Sequence, residues 1–244
     1  MERLGINGLE RARWATIRAS GAILDGWNLD EHYELASGLH SRVFYQLNPV
    51  WTRLEHRRRM AHLLLMKMRS AGIHIRKISV LLGPAMGAVP LIYALQSFAE
   101  LSKTRAVFAE HANDGAYVIG GGYRIGPDDQ VFVVDDIGTT FGTIRKTIDA
   151  AHQACKPHGW EALVIGFGVL IERACPDRIA PGILAPALKY VCGLKSPANA
   201  RVYMSSQCPD CASLVKLVPH KAKDTKNLEL PFQEYLSSDL YHKE

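Results

Sequence analysis

Long hydrophobic runs are missing from this 244-residue chain. Its longest apolar stretches, residues 131–134 and 163–170, fall far below the ~18 residues that would mark a membrane-spanning helix. A strong charge of either sign is also absent: 29 basic against 24 acidic side chains leave +5. Such a mild excess welcomes anionic ligands without pointing to nucleic acid. The opening residues 1–14 carry charges where a signal peptide needs its apolar stretch. Five cysteines, an odd number in a long chain, do not form the framework of a secreted disulfide scaffold. Repeats and low-complexity tracts are lacking, as are P-loop, HExxH, GxSxG and EF-hand patterns. The expectation is a soluble cytoplasmic protein with neither a membrane nor a nucleic-acid partner.

What is present is ordinary globular material, 48% hydrophobic and 22% charged, in strands that alternate with helices. A loose helical period runs over residues 8–24, and β-formers flank a Ser37-Gly38 turn in residues 33–47. Residues 49–70 make the best helix: Pro49 suits its first turn, Leu54, Met60, Leu63, Leu64 and Met68 mark one face, and Gly72 ends it. Its run His56-Arg57-Arg58-Arg59 reads as a solvated face. Strands are expected at 78–82, 106–109, 131–134, 162–171 and 189–192, with helices at 88–101 and 143–155. This alternation predicts an α/β fold with a central, mainly parallel sheet flanked by helices. One domain is expected over residues 1–219, with a small N-terminal hood near 20–48. A linker-like HKAKDTKN at 220–227 leads into a C-terminal extension ending at 244.

Chemistry concentrates in residues 131–143, VFVVDDIGTTFGT. An apolar strand delivers Asp135 and Asp136 to the carboxyl end of a sheet, where open α/β sheets place ligands. A turn with Thr139, Thr140, Phe141, Gly142 and Thr143 follows, and then a helix begins. Hydroxyls, turn N–H groups and the helix N-terminus make an anion site. Carboxylates suit sugar hydroxyls or a Mg²⁺ ion instead. Together they predict a sugar phosphate as ligand.

This string resembles the phosphoribosyl-pyrophosphate (PRPP) motif of the type I phosphoribosyltransferases. A second segment, VLLGPAMGAVPLIYALQ at 80–96, resembles the pyrophosphate loop of the orotate phosphoribosyltransferases among them. Further pieces follow in the same order: LASGLHSRVFYQ at 35–46 resembles the hood, FAEHANDGAYVIGGGYRI at 108–125 the mobile loop, and GVLIER at 168–173 a strand ending in the arginine that meets orotate. The likeness covers roughly residues 20–215. It implies PRPP and orotate as substrates, Mg²⁺ as cofactor and a homodimer as assembly. Carried onto this chain, it implies Asp135, Asp136 and His111 as catalytic residues. Thr139, Thr140, Phe141, Gly142, Thr143, Met86, Gly87 and Ala88 would bind PRPP, the last three through bare N–H groups. Arg173 and Ser37 would bind the base.

Several positions depart from that pattern. Phe141 replaces a loop glycine, although Phe takes positive φ only at a cost, and Ala36 stands where many members have lysine. The stretch 109–123 offers one candidate cation, His111, with Asn113 and Ala116 where lysine is expected and Gly120-Gly121-Gly122 in place of an Arg-Arg-Gly type run. Arg105, Arg124 or a neighbouring subunit are the candidates to compensate. These departures keep two further readings open: a catalytically weakened homologue that binds PRPP or a nucleotide as a regulatory module, and a phosphoribosyltransferase for another base. Cys208-Pro-Asp-Cys211 has the spacing of half a zinc site or of a redox pair. With no second CxxC, and only His220 nearby in sequence, it reads as a structural turn or two reduced thiols.

Overall fold

The structure, a computed structural model, describes residues 6–173, 179–180, 182–183, 188–197 and 200–220. The eleven strands among the described residues form a six-stranded central sheet and a small cap made of a two-stranded and a three-stranded sheet. The central sheet contains β5 (Val80–Pro84), β6 (Arg105–His111), β7 (Tyr117–Val118), β8 (Gln130–Gly138), β9 (Leu163–Glu172) and β10 (Lys189–Lys195), in the order β10-β9-β8-β5-β6-β7. All pairings are parallel except the short return strand β7 against β6.

The strands alternate their side chains between two apolar layers, as a two-sided buried sheet requires. Leu81, Phe132 and Val134 enter the layer beneath α4 (Leu54–Ser70) and α5 (Val89–Gln96). Val80, Val131 and Val133 enter the opposite layer beneath α6 (Gly142–Cys155). Met60, Leu64 and Met68 form the buried stripe of α4, and Ile144, Ile148 and Ala151 that of α6. The arrangement is the mainly parallel α/β sheet expected from the alternation of elements.

α1 (Ile6–Ala19) precedes the cap, whose strands are β1 (Ile23–Asp25), β2 (Glu31–Glu34), β3 (His40–Ser41) and β4 (Val43–Tyr45), with the one-turn α2 (Gly26–Leu29) between the first two. β1 pairs with β4, while β2 lies between β3 and β11 (Lys216–Val218), a strand from the far end of the described chain. The short α7 (Pro209–Ala212) leads into β11. The hood is therefore completed by residues that sequence order places almost 200 positions away.

Local differences from the sequence reading have physical causes. The first helix stops at Ala19, and Leu24 belongs to β1, because Gly21 adopts φ +68° and turns the chain. The long helix expected over 49–70 is two helices, α3 (Asn48–Trp51) and α4, since Arg53 is extended and breaks the run. His56 is buried, not solvated, with Nδ1 3.2 Å from the Ser20 hydroxyl. The strand expected to end at Val134 continues through both acids to Gly138, held by its pairing with β9. His220, read as the start of a linker, donates its N–H to Glu34 of the hood at 3.2 Å. The rest of the expected C-terminal extension lies outside the described residues.

Candidate active site

From β5 the chain moves outward to β6 on one side, then crosses back to place β8 on the other. This reversal opens a crevice at the carboxyl ends of β5 and β8, the place where open α/β sheets bind ligands. Both conspicuous sequence strings end there. Gly83 is required at this junction, because a Cβ would lie 2.6 Å from the Val134 carbonyl and 2.5 Å from the Ala88 Cβ. Gly87 brings bare backbone against the second acid: a Cβ there would stand 3.1 Å from both carboxylate oxygens of Asp136. The two strings, about 50 residues apart in sequence, thus share one contact.

Asp135 is buried and Asp136 half-buried by exposure. Desolvation pushes both carboxyl groups above the ordinary aspartate range, and for Asp135 the adjacent Asp136 adds like-charge repulsion. For Asp135 the Asp136 N–H compensates in part, donating to Oδ1 at 2.9 Å, and for Asp136 hydrogen bonds with Asp135 and with the Ile137 backbone do the same. Two carboxylates held this way favour hydroxyl donors or a cation as their complement.

Beyond Gly138 the chain turns through residues 139–141 into α6. Phe141 takes the left-handed conformation, φ 57° and ψ 16°, as the residue capping that helix. The sequence reading treated this as costly for Phe, and the structure shows what offsets it. The ring is 2% exposed and packs edge-on against Phe167 and Tyr190, with centroids 5.7 and 5.3 Å away. Gly138 makes room, since a Cβ there would meet the Phe141 ring at 2.3 Å. Burying a large aromatic is worth about 3–5 kcal/mol, more than the ~1–2 kcal/mol that a left-handed non-glycine residue costs. The Gly142 N–H faces Thr140 Oγ1 at 3.3 Å, and hydroxyls of Thr139, Thr140 and Thr143 stand at the start of the helix, where backbone N–H groups favour an anion.

A cavity of about 590 Å³ joins these parts. Asp135, Asp136, Gly87 and all of residues 139–143 line it. Leu35, Ala36 and Ser37 of the hood form the facing wall, and His111 and Arg173 lie on its border. Arg173 follows β9 and is 6% exposed. Nη1 donates to the Val43 carbonyl of the hood at 2.7 Å, and the guanidinium lies over the Tyr45 ring at 5.2 Å. Nε is buried without a hydrogen-bond partner among the described residues. Desolvation lowers its pKa to about 10, so it remains charged at neutral pH. A buried cation with an unsatisfied donor suits an anionic planar group.

Two expected residues are not on that wall. Met86 is 81% exposed and outside the cavity lining. Ala88 is fully buried, and its N–H donates to the Pro84 carbonyl at 3.3 Å because the first turn of α5 begins to close there. Of the three residues expected to offer bare N–H groups, only Gly87 borders the cavity.

The loop of residues 109–123 is folded back on α6. Tyr117 bonds His111 Nε2 through its hydroxyl at 2.8 Å, and the Gly115 carbonyl accepts from Lys146 Nζ at 2.9 Å. Lys146, on the second turn of α6, lines the cavity. The loop's own sequence does not point to it, because it lies outside residues 109–123. Its place three residues after Thr143 puts it on the helix face that carries the threonine hydroxyl. Arg105 does not compensate as envisaged: it pairs with Asp129 and donates to the Arg124 carbonyl.

Among known proteins, the chain is similar to the orotate phosphoribosyltransferase of Carboxydothermus hydrogenoformans, with 30% identity over 191 residues, 78% of this chain and 88% of that protein. That of Thermus thermophilus is 28% identical over 200 residues, 82% of this chain and 94% of its own length. Among solved structures, orotate phosphoribosyltransferase from Aeropyrum pernix has a TM-score of 0.55 at 21% identity, covering 75% of this chain and 93% of that one. The Mycobacterium tuberculosis enzyme has 0.53 at 17%, covering 77% and 95%. Both are likenesses of fold. No protein-family model matches the chain.

Proposed function

The chain belongs to the orotate phosphoribosyltransferase family, and from that premise we propose how its own residues carry the reaction. The enzyme joins orotate to the ribose of PRPP, giving orotidine 5′-monophosphate and pyrophosphate. The C1′–oxygen bond to pyrophosphate breaks and a bond forms from C1′ to a ring nitrogen of orotate, whose proton is released to the departing pyrophosphate or to water. The observation that carries the reading is a single cavity holding an acid pair, a hydroxyl-rich helix start and a buried arginine.

Asp135 and Asp136 hold the ribose hydroxyls and face the positive charge that develops on the sugar. Residues Thr139–Thr143, with the N-terminus of α6, hold the 5′-phosphate. The backbone at Gly87 approaches the pyrophosphate, Lys146 supplies positive charge toward it, and His111 offers a hydrogen bond at the edge of the cavity. Arg173 receives the orotate carboxylate, and Ser37 closes the base side. Binding at both ends orients the reacting atoms, which is where such a site gains most of its rate. Mg²⁺ fits the acid pair, whose carboxylates are desolvated and have no cation paired with them among the described residues. Held by Asp135, Asp136 and the substrate, it would neutralise charge on the departing pyrophosphate. A homodimer belongs to the same reading and is measured by light scattering. The readings as a regulatory module or as an enzyme for another base draw no support from the relatives named above.

Base choice gives the direct test. Uracil has the orotate ring without its carboxylate, so wild-type protein should prefer orotate by ~10²-fold or more in kcat/KM. Arg173→Gln should lose most of that preference while PRPP binding stays within about threefold. Equal use of uracil by the wild type would overturn the role given to Arg173.

A further inference from the structure

Outside the cavity, the hood contains a second convergence of chemical side chains. His32 on β2, His40 on β3, and Cys208 and Cys211 bordering or within α7 bring one ligand atom each to within 4.8 Å of one another. His32 Nε2 lies 3.2 Å from Cys211 Sγ, and His40 Nδ1 lies 3.2 Å from the same sulfur. His32, His40 and Cys208 are buried, and Cys211 is half-buried. We propose that these four side chains form a structural zinc site, one that fastens the hood to the C-terminal segment. The proposal is independent of the transfer reaction.

Geometry and charge both support it. Zn–S bonds near 2.3 Å and Zn–N bonds near 2.0–2.1 Å, set tetrahedrally, place ligand atoms about 3.3–3.8 Å apart. The two contacts to Cys211 are already on that scale, and the widest separation needs only about 1 Å of side-chain adjustment. Two thiolates and two neutral imidazoles balance a dication, so the closed site carries no net charge into a buried corner. Two sulfurs and two nitrogens favour zinc over magnesium or calcium, which prefer oxygen.

The surroundings hold the ligands in place. Asp210, between the two cysteines, accepts from Arg42 Nε at 2.8 Å, and both side chains are nearly buried. β11 pairs with β2 directly at Leu217 and His32. His40 forms a two-way backbone bridge with Tyr203. The metal would tie together strands already adjacent and immobilise the turn at Leu35–Ser37 that walls the cavity.

The test needs no enzymatic assay. The full chain, without a polyhistidine tag and purified with a reductant, is analysed for metals after gel filtration. About one zinc per chain is expected. Cys208→Ser/Cys211→Ser should reduce that by about tenfold or more, while His158→Gln, outside the cluster, retains it. Should the cysteine variant fail to fold, the wild type still decides the matter. Stripped by a chelator and refilled with Co²⁺, it should show the intense visible bands of tetrahedral cobalt with thiolate-to-metal absorption. Metal-free wild-type protein with both thiols freely titratable would overturn the proposal. So would a Cys208–Cys211 disulfide, iron in place of zinc, or Co²⁺ spectra without a thiolate band.

Discussion

The end of β8 and the loop between β6 and β7 face one cavity but are built in opposite ways. At the strand end Asp135 is buried and Asp136 and the threonines are half-buried, fixed by pairing with β9 and by the close backbone approaches at Gly83 and Gly138. Asp135 is held there despite the desolvation that raises its pKa. In the loop, residues are largely exposed and bonded to one another or to α6. The strand end also holds the left-handed Phe141, whose ring packs against Phe167 and Tyr190. The loop lacks the cations expected of it, and Lys146, which lines the cavity, belongs to α6. Under the proposed function, positive charge toward the leaving group comes from a helix and not from the loop.

The comparison can be broken at the fixed side first. Phe141→Gly removes a buried ring worth about 3–5 kcal/mol and relieves about 1–2 kcal/mol of backbone strain. A net destabilisation of about 3 kcal/mol should appear in urea unfolding, and an unchanged midpoint would show that the aromatic cluster does not hold the loop. Lys146→Met should lower kcat by ~10²-fold, about 2.7 kcal/mol of barrier, with little change in stability. Activity within twofold of wild type would return the burden to the loop or to a partner subunit.

Asp135→Asn sharpens the comparison through pH. Folding raises the pKa of this buried carboxyl above its unfolded value near 3.9. Its contribution is therefore most favourable below that value and is lost as pH rises through the folded pKa. The neutral variant escapes that loss. Without ligand, its stability relative to wild type should improve steadily as pH is raised from about 4 to about 8. A constant difference across this range would contradict the burial account. The smallest effect is expected from His111→Ala, because His111 is exposed and already bonded to Tyr117. Turnover should fall by no more than about threefold, a change typical of exposed positions.

The catalytic side of the molecule was legible because its elements are local. Short continuous apolar runs located β5, β8 and β9, and the residues 131–143 carry strand, acids, hydroxyl turn and helix start in unbroken order. Features that depend on distant packing were not. Phe141 reads as an obstacle until Phe167 and Tyr190 are seen around it. Lys146 belongs to a helix face, not to the loop it serves. Ala88 looked available until its N–H was found closing a helical turn. The CxxC at 208–211 looked like half a site, since its partners His32 and His40 precede it by more than 160 residues.

The central claim is tested most directly by following orotate consumption by the purified protein with PRPP and Mg²⁺, beside Asp135→Asn/Asp136→Asn. The account predicts orotidine 5′-monophosphate and pyrophosphate in equal amounts from the wild type, with turnover reduced by at least ~10³-fold in the folded double variant. Folded wild-type protein that binds PRPP without consuming orotate, or a double variant as active as wild type, would contradict it.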